Sequence, residues 1–164
     1  MTATPEQTLI GLLAPQPGER VLDAGCGLGR WTAELAATGA RVTGIDIHAP
    51  LLDQARIACP QAEFHAADLL SWVPGEPFDA IYAFATLHWV QPPVEAARAL
   101  HKMLRPAGRL AVAFGGLSAS ARELEGCYQP EPDDYTRVLK SAGFAILEMR
   151  RAKHHFFVVA QRQK

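Results

Sequence analysis

The sequence predicts an α/β protein: a doubly wound, mainly parallel sheet of seven strands with helices on both faces, finished by an antiparallel C-terminal hairpin. Two observations carry that expectation. Short apolar, β-rich runs alternate with helical patterns from Arg20 to Gly116, and the C-terminal segment holds two further runs only a few positions apart. Strands separated by helices require right-handed crossovers and so a parallel sheet covered on both sides, whereas two strands joined by a short link pair antiparallel.

Taken in order, "PEQTLIGLL" is a short helix over 5–13 with Thr4 as its N-cap and Pro5 at the first helical position; Pro15 and Pro17 then break the chain. "RVLDAG" is a first strand that stops at glycine, and "RWTAELAATGA" a helix closed by Gly39. "ARVTGID", "AEFHAAD" and "FDAIYAFA" are further strands, with "APLLDQARIA" a helix between the first two of them. "PPVEAARALHKMLRPAG" opens on prolines, ends on basic residues and has Gly108 beyond it, which predicts a helix closing near that glycine, followed by the strand "RLAVAFGG". After Gly116 the stretch "LSASARELEGCYQPEPDD" is polar and rich in breakers. "DDYTRVLKSAGF" predicts a helix ending near Gly143, and "FAILEMRR" and "HHFFVVAQRQ" a hairpin joined by about four residues. The expectation is one domain over 1–164, with a ligand-binding core at about 18–116 and the C-terminal helix and hairpin at about 117–164.

Composition narrows the function classes. With 164 residues, 49% of them hydrophobic, the chain can bury one substantial core. Its net charge of -1 and dispersed basic residues argue against nucleic acid as a partner. The three cysteines, Cys26, Cys59 and Cys127, lack metal or disulfide spacing and read as reduced packing residues. No export signal or membrane-spanning run is present, so a cytoplasmic protein without membrane association is expected.

The stretch "VLDAGCGLG" is the first strand-to-helix turn, which in such sheets borders the ligand crevice at the carboxyl ends of the strands. Gly25 and Gly27 would let the backbone approach a ligand, and Gly29 would let the following helix pack tightly. The spacing GxGxG departs from the GxGxxG of dinucleotide sites, which disfavours a pyrophosphate on the helix N-terminus and makes a nicotinamide oxidoreductase a distant reading. Asp46 ends the second strand, where a carboxylate can accept hydrogen bonds from both hydroxyls of a ribose. Asp68 follows the third and could accept the amine of adenine, with Ile47 and Leu69 on either side of the ring. The residues therefore point to an adenine nucleoside without phosphate.

"VLDAGCGLG", "GIDIHAPLLDQAR", "AADLLSW", "PFDAIYAFATLHWV" and "LRPAGRLAVAFGG" together resemble the successive motifs of class I S-adenosylmethionine-dependent methyltransferases. "TLHWV" followed by "AFGG" is most similar to the trans-aconitate methyltransferase branch. The resemblance runs unbroken from about Arg20 to Gly116 and implies a Rossmann-like fold, S-adenosyl-L-methionine as cofactor and S-adenosyl-L-homocysteine as its product. It implies that Asp23, Gly25, Cys26 and Gly27 meet the methionine portion, Asp46 and Ile47 the ribose and one adenine face, and Asp68 and Leu69 the adenine. Ala83 and Phe84 would offer a backbone carbonyl to the cofactor's amino group. His88, the candidate catalytic residue, and Trp89 would lie near the methyl.

Each assignment has a structural competitor. Gly29 could serve packing alone, Asp46 could be a helix N-cap, Asp68 a turn residue, and His88 a packed histidine. Trp72 and Trp89 could simply cover apolar surface, and His101 could answer a helix dipole. His154 and His155 lack a third metal ligand, and no metal is expected. Against larger members of the resembled family, the N-terminal segment, the 117–131 link and the final hairpin are short, so the acceptor side looks underbuilt. A carboxylate acceptor would want an arginine clamp, for which Arg30 and Arg122 are available. The expected function is transfer of a methyl group to a small molecule, a carboxylic acid being one candidate. The alternative is a non-catalytic cofactor-binding module, or a subunit completed by a partner chain, a homodimer included.

Overall fold

The computed structural model describes residues 2–164. Seven strands form one sheet in the order β3-β2-β1-β4-β5-β7-β6. The strands are β1 Arg20–Ala24, β2 Arg41–Asp46, β3 Glu63–Ala66, β4 Phe78–Phe84, β5 Leu104–Gly115, β6 Phe144–Arg151 and β7 His155–Arg162. The first five pair in parallel, β7 runs antiparallel to both β5 and β6, and the strand order reverses between β1 and β4.

Side-chain alternation within the strands explains the two layers. Leu22, Ile81, Leu110 and Val112 point to one face, where they pack with Ala97 and Leu100 of helix α4 Pro93–Met103 and with Tyr135 and Leu139 of α6 Pro132–Ser141. Their neighbours Val21, Ala80, Tyr82 and Ala111 point the other way, onto Leu9 and Leu13 of α1 Pro5–Leu13 and Leu35 of α2 Arg30–Ala36. Helix α3 Ala49–Ala58 adds a small cluster on Cys26, Cys59 and Phe64. Helix α1 starts as expected: the Thr4 hydroxyl accepts from the Gln7 backbone N–H while the Gln7 side chain accepts from that of Thr4, a reciprocal cap behind Pro5.

Three details are added or changed by the structure. Helix α4 stops at Met103 rather than near Gly108, because Leu104 turns extended, buries its side chain and pairs with Phe78. Arg109 pairs with Ala80, so residues 105–108 bulge out of β5 around Pro106, which cannot donate to a ladder. The polar stretch after Gly116 contains one helical turn, α5 Ala119–Arg122, capped by the Ser118 hydroxyl, which accepts from the Ala121 N–H at 3.1 Å. The hairpin link is residues 152–154, and it carries β7 inward between β5 and β6, so the last strand is internal and β6 forms the edge.

Candidate functional site

A cavity of about 510 Å³ opens at the carboxyl ends of β1, β2, β3 and β4, at the point where strand order reverses. Of the residues expected there, Gly25, Asp46, Ile47, Asp68, Leu69 and Phe84 line it. The sequence reading missed His48, Leu70, Thr86 and Gln91, which line it too.

Gly25 has φ +81, and a Cβ there would come within 2.1 Å of the Thr86 hydroxyl oxygen. That hydroxyl donates to the Ala24 carbonyl at 2.8 Å and so ties the end of β4 to the end of β1. The crowding at this glycine thus comes from the chain itself. Gly27 has open space where a Cβ would be, and its N–H donates to the Asp46 carboxylate at 2.9 Å. Gly29 is crowded by Ala55 of α3, with Cα at 2.8 Å, so it packs helix on helix rather than helix on strand.

Asp46 is well covered, its side chain 11% exposed. One oxygen takes the Gly27 N–H; the other takes the His48 backbone N–H at 2.8 Å and lies 3.1 Å from His48 Nδ1. A carboxylate offers about four lone-pair directions. One remains open here, and a second opens if the exposed His48 ring swings aside. His48, not Asp46, occupies the N-cap position of α3. Asp68 makes a turn, one oxygen accepting from the Leu70 N–H at 2.9 Å. Its other oxygen has no hydrogen bond among the described residues. Ile47, next to Asp46 in the chain, also lines the cavity and is 65% exposed, an apolar side chain at its mouth. Ala85, also in the wall, has φ +53, a conformation that costs a non-glycine residue about 1 kcal/mol and is common at ligand sites.

Other expected residues stand back from the wall. Asp23 is buried and accepts from the Thr32 hydroxyl at 2.6 Å; burial pushes its carboxyl up to about 7, aided by the nearby Asp46 and opposed by the Thr32 bond. Cys26 packs its sulfur among Leu52, Ala55 and Phe64, and burial raises its thiol far above the reactive range. Ala83 is fully buried in β4.

The catalytic part expected of His88 is not what this geometry provides. The Gly115 N–H donates to Nε2 at 3.2 Å, which leaves Nδ1 to carry the proton and donate to the Tyr128 carbonyl at 2.8 Å. Burial then holds the ring neutral by lowering its pKa. Neither nitrogen is free to take a proton from a substrate, and His88 joins the β4 end to residues 115 and 128 instead. Two further histidines pack against aromatic rings: His101 meets Phe144 edge-on, and His155 stacks with Phe157 at the start of β7.

An open α/β sheet with a crevice at its switch point and acids on neighbouring strand tips defines a Rossmann-like α/β domain with a cavity of ligand size at its rim. The chain belongs to the methyltransferase domain family, whose sequence model matches residues 21–108. It is 41% identical over 112 residues to a trans-aconitate 2-methyltransferase of Paracidovorax citrulli (strain AAC00-1), a match covering 66% of this chain and 43% of that protein. The chain thus spans under half the length of that curated relative. Solved structures that share its fold include the following two. A S-adenosylmethionine-dependent methyltransferase from Mesorhizobium loti superposes with TM-score 0.82 at 21% identity, covering 98% of this chain and 99% of that one. The N-methyltransferase NodS from Bradyrhizobium japonicum WM9, solved with S-adenosyl-L-homocysteine, gives TM-score 0.80 at 20% identity, with 97% and 86% covered.

Proposed function

We propose that the chain is a methyltransferase that binds S-adenosyl-L-methionine at the rim of its sheet and methylates a small molecule, a carboxylic acid being the favoured acceptor. One observation carries the reading: the cavity at the switch point is lined by two carboxylates from neighbouring strand ends, Asp46 and Asp68, together with an exposed Ile47. The residues fit an adenosyl group, since Asp46 keeps acceptor capacity for a ribose hydroxyl, Asp68 keeps an oxygen for an exocyclic amine, and Ile47 and Leu69 offer apolar faces to a ring. The backbone of Gly25 and Gly27 and the ends of β4 at Ala83 and Phe84 would hold the methionine portion, with Asp23 and Cys26 supporting that turn from within.

The cofactor supplies a methyl group on a positively charged sulfur, which becomes a neutral thioether once the methyl has moved to the acceptor. The protein's share is alignment and exclusion of water, which can account for much of the rate without a covalent nucleophile. A carboxylate acceptor is already deprotonated at neutral pH and needs no base. We assign His88 a structural role accordingly. The favoured carboxylic acid follows the trans-aconitate relative. We treat residues 1–164 as one domain acting in the cytoplasm; among the described residues no helix is long and apolar enough to cross a membrane. A second reading, a subunit completed by a partner chain or a second copy, is favoured by the exposure of Ile47 and Trp89 at the cavity mouth.

The test is calorimetric titration with S-adenosylmethionine, S-adenosylhomocysteine and NAD, followed by incubation with labelled cofactor and a panel of carboxylic acids, phenols and amines. Binding of the two adenosyl compounds but not NAD, with transfer to an acid, is expected. Asp46→Ala should weaken S-adenosylhomocysteine by about 1–3 kcal/mol. Unchanged affinity would remove Asp46 from the site, and binding without transfer would favour the non-catalytic module.

A further inference from the structure

A second cavity, of about 470 Å³, lies at the same rim beyond the end of β5. Because β7 is antiparallel to β5, its first residue, His155, pairs with the last of β5, Gly115, and the β6–β7 link arrives beside α5. The wall carries Arg122, Arg151, Lys153, His154 and His155 against a single acid, Glu131. Among the described residues, Arg122, Arg151 and Lys153 have no carboxylate within ion-pair distance, although Arg150 next door is held by Glu148. In a chain of net charge -1, this convergence of unpaired cations is a local arrangement and does not reflect an overall excess. Like charges facing one recess raise each other's energy, and an anion placed among them relieves that cost.

Position links this recess to the chemistry. The segment 84–91 contributes to both cavities: Thr86 and Trp89 line the first, while His88 between them lines the second. The sequence offers two arginines for a clamp, and the fold separates them. Arg30 lies over the Trp31 ring at 4.7 Å and lines neither cavity, whereas Arg122 lines the basic one.

We infer that this basic pocket receives the anionic end of the methyl acceptor, with Arg122 as the specificity-determining residue and Arg151 and Lys153 supporting it from the hairpin link. The Arg122 Nε donates to the Leu117 carbonyl at 3.3 Å, which orients the guanidinium and leaves its terminal nitrogens for a forked contact to a carboxylate. The inference rests on the methyl-transfer reading above, and its test separates the two.

Wild type, Arg122→Ala, Arg122→Lys, the double variant Arg151→Gln with Lys153→Gln, and a control pair on α4, Arg98→Gln with Lys102→Gln, are compared by calorimetry. The probes are trans-aconitate, its trimethyl ester, inorganic phosphate and S-adenosylhomocysteine. All three pocket cations are exposed, and thermal melts check that the variants fold. Trans-aconitate affinity should fall about tenfold or more in Arg122→Ala and in the double variant, recover in part in Arg122→Lys, and hold in the control. The ester should bind all variants alike, and S-adenosylhomocysteine should not distinguish them. The inference is overturned if wild type does not bind trans-aconitate, if the pocket variants bind it equally well, or if phosphate competes as effectively as the tricarboxylate. Failure of wild type to bind S-adenosylhomocysteine would overturn the cofactor reading instead, because the anion titrations are read without cofactor.

Discussion

Asp23 stands near the end of β1 with its carboxyl out of water and a single hydroxyl for company. Its pKa is raised from an ordinary 3.8 to about 7, so between those values the folded protein keeps a proton that the unfolded chain has released. Stability from this group is therefore full below about pH 4 and declines as pH rises towards 7. Asp23→Asn keeps the acceptor for Thr32 and removes the titration. The variant should vary less with pH across this window and exceed wild type at pH 8 by on the order of 2 kcal/mol. Urea unfolding at several pH values checks this, and parallel curves would mean that Asp23 is ionised throughout. Residue chemistry of this kind was partly legible: Asp46 and Asp68 stood out by type and position, and both face the cavity. The surroundings of His88 were not, because its partners Gly115 and Tyr128 are distant in sequence.

At the level of elements, the glycine turn shows how a correct signal can have an unexpected object. Three glycines announce close approach, but Gly25 clears Thr86 and Gly29 clears the backbone of Ala55, so only Gly27 faces open space. Gly29 combines φ +79 with a backbone contact that cannot rotate away. Gly29→Ala should cost about 2–4 kcal/mol by forcing α2 and α3 apart, measured by denaturant unfolding. A loss under 0.5 kcal/mol would show that the two helices separate freely. Helix starts were readable because caps and prolines act locally, as at Thr4 and Pro5. The end of α4 was not: its basic last turn and Gly108 suggested a longer helix, and pairing of Leu104 with Phe78 overrode them.

Across the molecule, Arg109 fastens the N-terminal segment to the sheet. From β5 it donates to the Leu13 carbonyl and, through both terminal nitrogens, to Glu19, whose carboxyl is thereby held below its ordinary range. The side chains are 25% and 14% exposed, so solvent screens the pair only in part. Arg109→Met keeps much of the stem and removes the fork; it should cost about 1–3 kcal/mol by thermal unfolding. The Glu19 contribution is present above its ordinary value of 4.5 and lost as pH falls through the lower folded value, so the deficit should shrink in acid. A deficit that stays constant with pH would detach it from this ion pair.

Local chemistry made the strand and helix order, the mainly parallel sheet and the acids at its rim readable from the chain, because periodicity, capping and turn residues act over a few positions. Long-range pairing decided the rest. The insertion of β7 between β5 and β6 brings Arg151 and Lys153 to the pocket of Arg122, and the seating of Thr86 against Gly25 closes the β1–β4 junction. Neither leaves a mark in the sequence, since each depends on which distant segment arrives as a neighbour when the sheet closes.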